Sequence, residues 1–158
     1  MEPIRLSTME EVAPLLQALL AEQKQVLLTV TGNSMYPLFR SGADRVLLET
    51  PKSAPLKKGQ IALYQRPNGK YVLHRVMKVQ HGAYWMAGDA QTDLEKGVAH
   101  GSVVAVVCAF ERNGRIMDCS GGAYRAYSHL WMLLRPLRRP IFKTRAWAGR
   151  LLKKSSKK

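Results

Sequence analysis

The sequence predicts a mainly β fold, an antiparallel β domain entered by one amphipathic helix and left by a basic helical tail. Three observations predict it. Short runs of Val, Leu, Ile and Tyr separated by Gly, Pro and Asn fill the middle of the chain, the pattern of strands joined by tight turns. Before them, Val12, Leu15, Leu16, Leu19 and Leu20 recur at helical spacing. After them, charge and composition change together: residues 1–124 carry 14 basic and 11 acidic side chains, whereas residues 125–158 carry 11 basic and none acidic. The chain divides accordingly into a helix over 1–24, a β domain over 25–123 and a basic amphipathic tail over 124–158.

Taken in order, Thr8 and Glu11 have the form of a capping box, in which each side chain satisfies the other residue's backbone N–H. Pro14 lacks an N–H and is best placed in a first turn, so the helix is expected to begin near Ala13. Strands are expected over 26–30, 45–49, 61–65, 71–79, 84–87, 102–111 and 115–117. Asn68-Gly69 and Asn113-Gly114 are dipeptides that tolerate the positive φ angles of hairpin turns, so they pair the third run with the fourth and the sixth with the seventh. The tail mixes Trp131, Leu133, Leu134, Leu137, Ile141, Phe142, Trp147, Leu151 and Leu152 with arginines and lysines, and Pro136 and Pro140 interrupt it. One or two short amphipathic helices fit. Such a segment suits the headgroup region of an anionic membrane, a fold back onto the β body, or a nucleic acid. A nucleic acid fits it least, because no stacking platform or groove-reading module accompanies the charge.

At 158 residues, with 46% hydrophobic and 23% charged side chains, the chain is long enough to bury a core and is neither disordered nor fibrous in composition. The longest apolar run, 103–110, is far below the roughly 20 residues of a spanning helix, and residues 1–7 lack the form of a secretory signal. A cytoplasmic protein is expected, at most peripheral to the inner membrane face. Cys108 and Cys119 lack the paired neighbours of a zinc site; two reduced thiols are the simpler reading and a disulfide the other. No metal or cofactor is implied, since the four histidines show no ligand spacing.

Ser34 lies in Thr31-Gly32-Asn33-Ser34-Met35-Tyr36-Pro37, directly after a strand, and Pro37 biases Tyr36 away from helix. A turn there projects the hydroxyl from the sheet edge, which suits a nucleophile, although serine is also an ordinary turn residue. Activation needs a neighbouring base. His74 shares a strand face with Val72 and Val76, a partly desolvated setting that favours neutral imidazole; the same setting also suits a histidine that merely fills a core. His81, His100 and His129 fall in loops or the tail.

The segments Gly32-Asn33-Ser34-Met35-Tyr36-Pro37, Gly42-Ala43-Asp44-Arg45-Val46, Lys58-Gly59-Gln60-Ile61, His74-Arg75-Val76 and Gly88-Asp89 resemble, in order and spacing, the successive boxes of the type I signal peptidases, whose fold is shared by the self-cleaving repressors of the DNA-damage response. The resemblance spans about half the chain, and the Ser-Met-x-Pro and His-Arg-Val boxes are its specific parts. It implies Ser34 as nucleophile. In most bacterial signal peptidases and in the repressors the base is lysine, but here the position is His74, as in the Ser-His type. Lys70 and Lys78 lie four residues to either side and would need another register. The resemblance further implies an acidic residue that orients the imidazole: Asp89 and Asp93 stand equal, with Glu95 behind them. The oxyanion donors would be the Ser34 N–H with Thr31 or the Asn33 amide, while Met35 and Pro37 shape the cleft.

These residues imply a serine endopeptidase acting on a peptide or precursor-protein substrate, such as the leader of a small precursor cut after small side chains. The helix before the serine box is short and polar, unlike the spanning helix of secretory enzymes. Two alternatives stay open: a catalytically silent module that binds peptide or membrane, and a self-cleaving regulator, disfavoured by the histidine and by the lack of a DNA-binding segment ahead of the serine box.

Overall fold

In the computed structural model, which describes residues 8–52 and 54–137, helix α1 (Met9–Ala21) starts at Thr8 and not near Ala13. The capping box decides the start: Thr8 Oγ1 accepts from the Glu11 N–H at 3.3 Å and Glu11 Oε2 accepts from the Thr8 N–H at 3.2 Å. Two orphan donors are thereby satisfied. Pro14 then lies inside the helix and forgoes only the bond its missing N–H would have made to Glu10, on an exposed turn. Ala13, Leu16 and Leu20 are buried, whereas Leu15 faces solvent.

Eight strands follow: β1 (Val26–Thr29), β2 (Arg45–Glu49), β3 (Ile61–Gln65), β4 (Tyr71–Gln80), β5 (Ala83–Ala87), β6 (Glu95–Ala99), β7 (Val103–Arg112) and β8 (Arg115–Asp118). They form one antiparallel sheet in the order β1-β2-β7-β3-β4-β5-β6, with β8 paired to β7. Both Asn-Gly hairpins are present. At Asn113-Gly114 both residues have positive φ; at the other turn, Asn68 is preceded by Pro67 and Gly69 alone has positive φ, +81°. A third hairpin turns at His81-Gly82, with φ of 52° and 70°. Strand β6 was not expected. Its sequence, Glu-Lys-Gly-Val-Ala, offers Val98 as its one buried side chain, so no alternation announces it; pairing to β5 holds it in place.

The sheet buries residues on both faces. Ile61 and Leu63 pack with α1 residues and Met35, Leu38 and Phe39, while Ala62 and Tyr64 pack with Val76, Tyr84 and Met86 on the other side. This two-sided burial explains the unbroken apolar run of β7. A bulge where Leu47 and Leu48 meet Ala109 and Val107 resets the alternation, so Val107 and Phe110 both reach the first core.

Helix α2 (Gly122–Leu133) begins two residues before the expected tail boundary and buries Ser128 and Met132. A short helical turn over 135–137 follows, and the rest of the expected tail, residues 138–158, lies outside the described residues. Among those described, no helix is long and apolar enough to cross a membrane, and Cys108 and Cys119 are unpaired thiols.

Candidate active site

Between β1 and β2 the chain makes a loop tied at its base by Asp44. The Asp44 carbonyl accepts from the Val30 N–H at 3.0 Å, and its fully buried carboxylate accepts from the Arg40 N–H at 2.8 Å and from the side chains of Arg40 and Arg112. Burial alone would raise this carboxyl; the two guanidiniums outweigh it and hold it well below the usual carboxylate range. Met35, Leu38 and Phe39 anchor the loop in the core. Ser34 is half-buried, between exposed Asn33 and buried Met35.

A second turn backs the serine. The Ser34 carbonyl accepts from the Ala90 N–H at 2.8 Å, and the Gly88 carbonyl accepts from the Gln91 N–H at 2.9 Å. A Cβ on Gly88 would stand 2.4 Å from the Ser34 carbonyl oxygen, so only glycine fits. Asp89 meets Arg75 in a buried two-pronged ion pair, with Nε to Oδ1 at 2.8 Å and Nη2 to Oδ2 at 2.7 Å. Burial opposes the Arg75 charge and the Asp89 carboxylate more than restores it. Arg75 also donates to the Gly59 carbonyl, to Ser128 Oγ at 2.7 Å and to Tyr124 Oη at 3.3 Å, and the Trp131 indole donates to the Asp89 carbonyl. Helix α2 is thus bolted to the turn that backs Ser34.

His74 is 1% exposed. It pairs with Ala62 while Tyr64 pairs with Val72, making His74 and Tyr64 diagonal neighbours on one sheet face. His74 Nδ1 lies 3.1 Å from Tyr64 Oη, which donates to Glu95 Oε2 at 2.6 Å; Glu95 in turn receives Arg66 Nε at 3.0 Å. The Arg66 guanidinium, against the effect of burial, holds the Glu95 carboxyl low and hence ionised. An ionised carboxylate only accepts, so the single Tyr64 proton belongs to Glu95, and Tyr64 must accept from Nδ1–H. That assigns the tautomer and leaves Nε2 as the nitrogen with a lone pair. Burial, with a smaller push from Arg66 and against the pull of Glu95, moves the imidazole down from 6.5 to about 4, so it is neutral at pH 7.

Ser34, His74, Thr31 and Met35 all line one cleft of about 260 Å³, joined there by Arg66 and Gln91. Asn33 is on the same turn, its carbonyl accepting from the Tyr36 N–H at 3.2 Å. The acidic residues are placed differently from the sequence expectation. Asp89 commits both oxygens to Arg75, and Asp93 is exposed on the wall of a neighbouring open depression with Glu95. The carboxylate connected to the imidazole is Glu95, through Tyr64. Lys70 and Lys78 are exposed, Lys78 lying 4.9 Å over the Trp85 ring. Tyr64, Arg66 and Gln91 escaped the sequence reading; the β3–β4 register, once set by the Asn68-Gly69 turn, is the signal that would have found Tyr64.

A family model described as Peptidase S24-like matches residues 3–107, and the chain belongs to that family, of serine-peptidase type, within the superfamily that joins the self-cleaving repressors to the signal peptidases. The match ends within β7, so β8 and α2 lie beyond it. No curated protein matches the chain.

Proposed function

We propose, from that membership, that the chain is a serine endopeptidase in which Ser34 is the nucleophile and His74 the general base. The observation that carries this reading is the shared cleft, with the imidazole Nδ1–H committed to Tyr64 and Nε2 left to accept a proton. Nε2 takes the Ser34 hydroxyl proton as Oγ bonds to the substrate carbonyl carbon. The Ser34 N–H, with Thr31 or the Asn33 amide as second donor, meets the oxyanion. The C–N bond then breaks, the imidazolium returns its proton to the leaving amine, and water repeats the sequence on the acyl-enzyme. Tyr64 and Glu95 take the place expected of Asp89 or Asp93, stabilising the imidazolium at one remove. A base of such low pKa gains strength as the oxyanion's negative charge develops nearby.

The resemblance to the signal peptidases extends this reading to small side chains beside the cut, as in the leader of a small precursor. The test is labelling of the full chain by a fluorophosphonate, read as intact mass, together with a panel of leader-type peptides bearing small residues. Labelling and cleavage lost in both Ser34→Ala and His74→Ala support the peptidase. A chain that binds these peptides with neither labelling nor turnover is instead a silent binding module.

A further inference from the structure

Helix α2 has two unlike faces. Tyr124, Ser128 and Trp131 face the sheet and hold Arg75 and the Asp89 carbonyl, and Met132 is buried beside them. Beyond the helix, Arg135 donates to the Thr92 carbonyl. Leu130 and Leu133 lie on the other side of the helix, and they and Leu137, just past its end, are 57%, 75% and 55% exposed. The helix cannot roll to bury them without stripping Arg75 of Ser128 and Tyr124. Exposed leucines grouped on one side of a fixed element mark a surface for an occupant.

Charge selects that occupant. From residue 125 to the end the sequence has 11 basic and no acidic side chains, with Arg125 exposed on α2 itself. Apolar side chains beside unopposed positive charge match a surface that is anionic at its face and apolar just beneath, which is an anionic lipid bilayer. A nucleic acid would use the charge but not the leucines; a second copy of the chain would use the leucines but repel the charge.

We propose that Leu130 and Leu133 of α2 and Leu137 just beyond its end, with the basic residues that the sequence carries from 125 onward, dock on anionic membrane surfaces. The proposal is independent of the peptidase reading, because it is measured without turnover. The experiment is flotation of the full chain with vesicles of phosphatidylcholine alone or with about one-third phosphatidylglycerol, beside the triple variant Leu130→Gln, Leu133→Gln, Leu137→Gln. All three positions are exposed, so circular dichroism and the urea midpoint of the variant should match the wild type. Binding is expected only to the anionic vesicles, and the variant should lose about tenfold or more in partition. Equal binding by wild type and variant, or no binding by the wild type, overturns the proposal. So does a dimer that the leucine substitutions dissociate, which would assign the face to a second copy.

Discussion

Replacing Gly88 by alanine tests whether the 88–91 turn positions the nucleophile. The added Cβ would meet the Ser34 carbonyl oxygen at 2.4 Å, and the Ser34 carbonyl carbon and Cβ at 3.0 Å each. Ordinary contact starts at 3.4 Å, so the two segments must part by about 1 Å. Two of the three atoms are backbone, and no rotamer change relieves them. Gly88 does not adopt a positive φ, so alanine is refused by contact alone. The Ala90 N–H bond to the Ser34 carbonyl, 2.8 Å long, ties the segments together and must stretch or break. Overpacking of this kind costs about 1–3 kcal/mol, and a 1 Å displacement of a reacting group costs about a hundredfold in rate. The assay is the fluorophosphonate labelling rate with the urea midpoint measured in parallel. Gly101→Ala, whose Cβ meets nothing within 4 Å, is the control. A folded Gly88→Ala protein that labels within about twofold of wild type would refute the reasoning, because the turn would then not set the position of Ser34.

Three further outcomes are expected. Tyr64→Phe leaves the buried Nδ1–H without its acceptor, a loss of about 1–3 kcal/mol, so labelling should slow by about tenfold to a hundredfold; an unchanged rate counts against the assigned tautomer. Asp89→Asn removes the charge partner of buried Arg75, and unfolding in urea should show a loss of about 3–5 kcal/mol, with a smaller deficit excluding the pair as a main support of the turn. His74 has a folded pKa of about 4 against 6.5, so the unfolded chain binds the proton first as pH falls: stability from this group is full above about 6.5 and declines by about 3 kcal/mol between there and 4. In His74→Gln, urea midpoints across that window should be flatter by this amount, and parallel curves would contradict the buried neutral imidazole.

Seven of the eight strands were legible because each of them carried its own local signal. Asn113-Gly114 and Asn68-Gly69 fixed two pairings, and alternation or continuous apolarity marked the strands they join. Strand β6 had no such signal, since Gly97 and Lys96 contribute nothing to a core and only its neighbour β5 makes it a strand. The helix start shows two local rules in competition: Pro14 argued for a late start, but the reciprocal Thr8–Glu11 bonds satisfy more backbone than Pro14 forgoes. At the site, Ser34 and His74 could be singled out because their residue types are chemically distinctive in their settings. The partner of the imidazole was among the candidates, but Glu95 ranked behind Asp89 and Asp93, because a carboxylate acting through a tyrosine hydroxyl depends on the strand register and on the path of the 88–95 segment, and both are tertiary facts. Asp89 looked like the partner by sequence proximity to a functional box, yet its nearest need is the buried guanidinium of Arg75.

Strand β4 accounts for how the two halves of the site are kept in step. Successive residues on a strand face opposite ways, so His74 turns toward Tyr64 and the cleft while Arg75 turns toward Asp89 and α2. The imidazole is therefore oriented from one face and the turn that backs Ser34 is braced from the other, by neighbours in the sequence. A slip of one residue in the β3–β4 pairing would exchange the two side chains, placing a guanidinium in the cleft and an imidazole against Asp89. Nothing local to His74 prevents that exchange. What prevents it is the Pro67-Asn68-Gly69 turn, where the Arg66 N–H bonds to the Lys70 carbonyl at 2.9 Å, together with the cost of burying Arg75 on the apolar face beside Ala62, Tyr64 and Met86. The turn that sets the register begins at Arg66, which also holds Glu95 in position behind Tyr64, so hairpin closure and orientation of the base depend on the same residue.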